Sequence, residues 1–205
     1  MPKIGMEPLR RRALMNATID EIGRVGSLDV TVSQIAKRAG MSSALAHHYF
    51  GSKEHIFIAA MRHILRLYGQ QIRQALAGCQ TPRQRIEAII GTSFASEHFS
   101  RQTISAWTSF YVQAQTSEPT RRLLRIYQRR LHANLLHDLR PLVGARADNV
   151  AHSIAALIDG VYIRYALGQD NPNGQSASEL VSGYLDLVLS APVPSTDTTQ
   201  PGNFR

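Results

Sequence analysis

Two groups of side chains in this sequence have types and spacings suited to chemistry. The first is Trp107, Phe110 and Tyr111, which fall at i, i+3 and i+4 and so share one face of a helix. Asp159 and Tyr162 stand three apart in an otherwise very apolar stretch, with Tyr165 three further on. An ionised Asp in such surroundings is costly unless a cation compensates it. Ring faces and one carboxylate suit a quaternary ammonium ion, which donates no ordinary hydrogen bond and gains about 0.5–2 kcal/mol per aromatic face. A plain packed core presents the same aromatic stripe, and Asp159 could instead pair with Arg164 or cap a neighbouring helix.

The second group is Ser42, Ser43, Ala44, His47, His48 and Tyr49. It contains no Asp or Glu. Small residues allow close approach to base edges, and hydroxyl and imidazole groups hydrogen-bond to bases and phosphates. Lys53 opens the next helix, where its cation and the free backbone N–H groups can both face a phosphate. Thr31 and Ser33 just upstream, and Lys3 and Arg11 near the start, complete the candidate DNA contacts.

These side chains need helices to hold them. Thr31 opens a short helix, and Gln34 completes a Thr-x-x-Gln capping box. Val32, Ile35, Ala36 and Ala39 share its apolar face, and Gly40 stops it. Ser42 then caps a second helix, with Leu45, Tyr49 and Phe50 nearer the core. Two short helices about a Gly-containing turn form a helix-turn-helix, whose second helix enters the major groove. Two packed helices of an ordinary helical protein would share the periodicity; the acid-free residue types favour DNA.

Upstream, Arg10, Arg11 and Arg12 begin a helix that ends at Gly26. Three cations at a helix start oppose the macrodipole, which a nearby phosphate would relieve. Downstream helices are expected from Lys53 to Ala77, Thr81-Pro82 to Glu97, Ser100 through Tyr111, and Ser117 to Leu139, broken by Pro141 and Gly144. Two more run from Ala147 to Leu167 and, behind a Ser176/Glu179 capping box, to Leu189. No segment alternates as a strand does, so the fold is expected to be all-α. The division is a helix-turn-helix domain over 1–52, a helical ligand-binding and dimerisation domain over 53–190, and a disordered tail of Pro, Ser, Thr and Gln over 191–205. Arg121, Arg122, Arg125, Arg129 and Arg130 read as the solvated face of an amphipathic helix rather than a second DNA surface.

The chain carries a formal net charge of +8, which favours a polyanionic partner. Cys79 is the sole cysteine, so no intramolecular disulfide or Cys-based zinc site is expected, in keeping with a cytoplasmic location. No secretory signal, membrane-spanning run, P-loop, GxGxxG, HExxH or GxSxG pattern is found. Eight histidines single out no nucleophile–base pair. Neither an enzyme nor a metal or other cofactor is expected.

TVSQIAKRAGMSSALAHHYFGSKEHIF resembles the DNA-binding domain of the TetR family of bacterial repressors. The shared elements are Thr31, Ile35, Ala36, Ala39-Gly40, Ser42, Tyr49-Phe50 and Ser52-Lys53-Glu54. Ala46 stands where a larger aliphatic residue is usual, and His47 where tyrosine is. The segments MPKIGMEPLRRR, SAWTSFY and AALIDGVYIRYAL resemble the BetI subgroup, regulators of choline-to-glycine-betaine synthesis. That likeness implies a homodimer on a palindromic operator, released by choline, with Trp107, Phe110, Tyr111, Asp159 and Tyr162 around the ligand. It also implies that the last two helices pair between protomers, through Ala151, Ile154, Ala155, Ile158, Leu180, Tyr184 and Leu187. A TetR-type repressor of drug efflux sensing lipophilic cations is the alternative on the same fold.

Overall fold

The computed structural model describes residues 5–168 and 171–191. Lys3 and the tail from 192 onward lie outside the described residues. Every regular element among those described is helical: α1 (Met6–Val25), α2 (Val32–Arg38), α3 (Ser43–Phe50), α4 (Lys53–Ala77), α5 (Pro82–Ser93), α6 (Arg101–Thr116), α7 (Glu118–Val143), α8 (Ala147–Leu167) and α9 (Gly174–Ser190). A 3-10 turn, Gly144–Arg146, joins α7 to α8.

α1 to α3 form the small N-terminal unit. The Thr31 hydroxyl accepts from the Gln34 N–H at 3.1 Å, and the Gln34 side chain accepts from the Thr31 N–H at 2.7 Å, so the expected box is present. Gly40, at φ 69, makes the left-handed corner between α2 and α3. Ser42 caps α3 by accepting from the Leu45 N–H. The corner brings Ile35, Ala36 and Ala46, all fully buried, into one apolar core with Leu14, Ile22 and Val30. Leu45, Tyr49 and Phe50 are only half-buried, and it is the small Ala46 that α3 turns inward. Glu21, buried on α1, is clamped by Arg24 of its own helix at 2.8 Å and by Arg38 of α2. The hydrogen bonds from Arg38 and then Arg24 hold its carboxyl below the usual carboxylate range.

α4 belongs to both halves of the chain. Near its start Glu54 accepts from the Ser117 hydroxyl at 2.6 Å, and the Phe57 ring meets Phe110 edge-on at 6.4 Å. Farther along, Tyr68 reaches Ser93 of α5 at 2.9 Å. α1 is also bound directly to the larger body. A Cβ at Gly23 would come 2.6 Å from the Gln102 backbone, so only glycine permits α1 to lie this close to α6.

Four helix ends differ from the expected ones. α1 starts at Met6, not Arg10, with Glu7 in its first turn, so Arg10–Arg12 sit past the N-terminus and the macrodipole argument does not apply to them. α5 ends at Ser93, not Glu97. The Thr92 and Ser93 hydroxyls turn back onto the Ala88 and Ile89 carbonyls, and the chain bends to bury Phe94 and Phe99, ring against ring at 5.1 Å. α7 continues through Pro141 to Val143. The carbonyl that loses its donor there is that of His137, an exposed residue. α9 is capped by Asn173, which accepts from the Ser176 N–H, and Glu179 is engaged by Gln175 instead of closing a box.

The stretch Glu118–Leu167 includes a window apolar enough, by length and composition alone, to cross a membrane, which the sequence reading missed. In the single chain 33% of that window is buried, so the fold accounts for part of it as core. Val150, Ala151, Ile154, Ile158, Val161 and Tyr162 of α8 are buried against the rest of the chain.

Candidate ligand cavity and nucleic-acid face

Helices α4, α6, α7 and α8 each send an aromatic side chain to one place. Trp107 and Tyr111 come from α6 and Tyr162 from α8, as the sequence suggests. Tyr68 of α4 and Tyr127 of α7 join them, and all five line one cavity with Ile64, Ser93, His98 and Ile158. Trp107 is the hub, with ring centroids 4.7 Å from Tyr127, 5.8 Å from Tyr111 and 6.1 Å from Tyr162. Phe110 is not part of the lining. It is fully buried behind Trp107, between that ring and Phe57, and supports the wall from outside.

Asp159 stands beside this aromatic box. Tyr111 and Tyr127 both donate to its Oδ1, at 3.0 and 3.2 Å. It makes neither the Arg164 pair nor the helix cap that the sequence left open. Burial pushes its carboxyl above the usual range, and the two tyrosine hydroxyls only partly offset that. A carboxylate held in this way gains from a cation. Burial, then the charge of Asp159, drives the Tyr111 and Tyr127 phenols far above their ordinary value. Tyr68 is pushed up to about 12, chiefly by burial. The rings are therefore neutral, and their hydroxyls act as donors. Tyr162 donates to the Ser93 and His98 carbonyls at 2.6 and 3.2 Å, which fixes its ring against Phe94 and Phe99.

The cavity is nearly shut, at about 10 Å³, close to the least that holds one water. A cleft of about 620 Å³ lies against it, walled by α1, α4 and the start of α6, with Ile64 and His98 common to both. His98 is 4% exposed, and its Nε2 has no hydrogen-bond partner. Burial lowers its pKa, so the ring is held neutral, with a polar atom to spare at the junction of cleft and cavity.

Tyr127 and Tyr68 escaped the sequence reading for one reason. Both sit on helices whose exposed faces are rich in Arg, and the stretch around Tyr127 reads as a solvated surface. The usable signal was Leu124, Tyr127, Leu131 and Leu135, an apolar stripe opposite the arginines.

At the other end of the molecule, Thr31, Ser33, Ser42, Ala44, His47, His48 and Lys53 are exposed, and Ser43 and Tyr49 are half-buried. The α3 face is thus open and free of acidic groups. Besides the Thr31 and Ser42 hydroxyls that cap α2 and α3, three more of the expected contacts already have partners within the chain. Lys53 Nζ donates to the Leu28 carbonyl at 3.0 Å and ties α4 to the α1–α2 loop. Arg11 donates to Glu7 at 2.7 Å and lies over the Tyr49 and Phe50 rings, 5.3 and 5.0 Å from their centroids, bracing α3 on α1. His47 Nδ1 lies 2.7 Å from the Gly51 carbonyl. A carbonyl can only accept, so in the neutral ring Nδ1 carries the proton and Nε2 is an acceptor, suited to a base amino group rather than a phosphate.

The α8 positions expected at a dimer interface are mostly internal. Ala151, Ile154 and Ile158 are at most 1% exposed in the single chain, and Ala155 is half-buried. α8 carries apolar residues on more than one side, so periodicity alone did not show which apolar residues turn outward. The outward apolar residues are Ile163 and Leu167 on α8 and Leu180 and Leu187 on α9, the last 72% exposed. Tyr184 is half-buried.

Residues 14–60 match the family of bacterial regulatory proteins called the tetR family, and residues 82–190 match the C-terminal domain of BetI-type transcriptional repressors. The HTH-type transcriptional regulator BetI of Brucella anthropi is 56% identical over 190 residues, covering 92% of this chain and 98% of the relative. That of Agrobacterium fabrum is 48% identical over 192 residues, 93% of each. Among solved structures, a protein from Saccharomonospora viridis in complex with choline superposes with a TM-score of 0.76 at 22% identity, over 86% of this chain and 95% of the other. A TetR transcription regulator from Haloarcula marismortui gives 0.76 at 20%, over 87% and 97%. At these identities the likeness is one of fold.

Proposed function

This chain belongs to the TetR family of transcriptional regulators, with the C-terminal domain of its BetI-type repressors, and we propose that it represses choline-to-glycine-betaine synthesis genes until choline binds the aromatic cavity. The observation that carries this reading is the convergence of Tyr68, Trp107, Tyr111, Tyr127 and Tyr162 on one cavity, with Tyr111 and Tyr127 donating to Asp159 beside it. The rings take the trimethylammonium head, and Asp159 balances its charge. The unpartnered Nε2 of His98 takes the alcohol, the one group on choline able to hydrogen-bond. The complex of the S. viridis protein with choline, and the naming of the relatives, point the same way.

Release follows from linkage. The rings stand too close to admit the ligand, so choline binds an arrangement in which α6, α7 and α8 have moved apart. α6 abuts α1 at Gly23, and α4 carries the Lys53–Leu28 tie at its start and Tyr68 beyond its middle. Both shift the α3 helices, and DNA prefers the unshifted spacing. A gel shift on DNA upstream of the neighbouring genes tests this. Saturating choline should lower operator affinity at least about tenfold, a coupling of about 1.4 kcal/mol. Equal affinity with and without choline would sink the reading.

One recognition helix spans too few base pairs, so the operator needs two copies of this chain. The outward apolar residues Ile163, Leu167, Leu180 and Leu187, with Ala156 and Gly160 allowing close approach, form the surface on which they pair. Sedimentation at micromolar concentration should return twice the chain mass of 22.7 kDa, and a monomeric mass would refute the pairing.

A further inference from the structure

Three side chains outside the cavity meet where α7 faces the first turns of α8. His132 Nε2 lies 3.2 Å from Asp148 Oδ1, and His152 Nδ1 lies 3.6 Å from Asp148 Oδ2 and 3.0 Å from the Asp148 carbonyl, a contact that Nδ1 must give up to ligate or keep while Nε2 ligates. The two imidazoles are 4.1 Å apart between centroids. One donor atom from each residue falls within 4.8 Å of the other two. In a tetrahedral zinc site, bonds of 2.0–2.2 Å set neighbouring donors about 3.3 Å apart. The three groups are therefore close to ligand spacing before any ion arrives. His132 Nε2 is buried, and despite its nearness to the carboxylate it is too poorly aligned for a hydrogen bond. A buried ring nitrogen near a carboxylate it does not bond is unusual unless something else completes it.

We propose that His132, Asp148 and His152 bind one divalent transition-metal ion, of the kind that takes two imidazoles and a carboxylate, with water in the remaining position. The donor set is that of zinc, cobalt, nickel or copper, not of calcium or magnesium, which take oxygen. Asp148 and His152 stand at i and i+4, one turn apart on α8, and His132 closes the triangle from α7. No linear motif shows this, because the third donor lies across the α7–α8 turn. The ion pins together two helices that also carry Tyr127 and Asp159, so it stabilises the body that holds the cavity. The site stands whether or not choline is the effector.

The test uses the untagged full-length chain, stripped with chelator and dialysed, so that no purification tag supplies imidazoles. Titration with Co²⁺ should give one ion per chain by equilibrium dialysis, with visible ligand-field bands that Zn²⁺ abolishes, and a higher unfolding temperature. His152→Ala and Asp148→Asn, both at exposed positions and checked for fold by circular dichroism, should each weaken Co²⁺ binding at least about tenfold, the lower end of what even outer-shell losses cost. His137→Ala, at an exposed histidine outside the triad, should leave the titration unchanged. No uptake, or equal uptake by His152→Ala and the unaltered chain, overturns the site and leaves an ordinary histidine–carboxylate ion pair.

Discussion

Asp159→Asn should weaken choline binding about a hundredfold while the free protein still binds its operator. Asn keeps the shape and can still accept from Tyr111 and Tyr127, so the box of rings survives. What disappears is the charge. In a cavity walled by aromatic rings the ligand's cation then has only ring faces to offset its lost hydration, and a hundredfold corresponds to about 2.7 kcal/mol. The free protein should respond in the opposite sense. Burial raises the Asp159 pKa, so the native state already pays to keep that carboxyl ionised, and the neutral amide removes the cost. Weaker ligand binding in a protein that melts no lower is a combination that plain core damage would not produce. Calorimetry with choline, beside a thermal melt, reads both; unchanged choline affinity would mean that Asp159 is not the counter-ion.

The same group fixes a pH dependence. Its folded pKa lies above 3.8, the unfolded value, so between the two the folded state holds a proton that the unfolded chain has released. This group's contribution to folding stability therefore grows as pH falls through that window. Choline affinity moves the other way, because the ligand needs the ionised form. It should decline as pH drops through the folded pKa in the unaltered protein, and this dependence should be absent from Asp159→Asn.

The parts of this molecule that a sequence discloses are those set by neighbours along the chain. The Thr31–Gln34 box, the Gly40 corner and the Ser42 cap are local, and each is where it was expected. Half of the cavity was equally local: Trp107 and Tyr111 share a helical face, and Asp159 stands out in an apolar helix. The other half depends on how helices cross. Tyr127 lies 32 residues before Asp159 and Tyr68 lies farther still, and only packing brings the two tyrosines to one cavity. Phe110 shares the i, i+3 spacing that placed Trp107, yet crossing geometry sends it behind the wall. Pro141 and the Ser176/Glu179 pair show the limit of local rules at helix ends. Each matches a known signal, and a competing local one set the terminus: Gly144, at φ 56, ends α7, and the Asn173 side chain caps α9.

Ala44→Glu should abolish operator binding and leave the effector side untouched. Ala44 is exposed near the start of α3 and lines no internal cavity, so a larger polar side chain there meets solvent and the fold survives. Against DNA the same change sets a carboxylate among phosphates and base acceptors, and like-charge contact at an interface costs several kcal/mol. Affinity should fall at least about a hundredfold for operator and for unrelated duplex alike, because the repulsion does not depend on sequence. A gel shift at fixed ionic strength measures the loss, and an unchanged choline titration shows that the protein is still folded. Full binding by Ala44→Glu would mean that duplex lies elsewhere. The exposed Arg122, Arg129 and Arg130 of α7 would then be the surface to test, because none of them takes part in an ion pair among the described residues. The outcome therefore separates two surfaces of one molecule. A face defined by what it lacks, any acidic side chain, is challenged by supplying one.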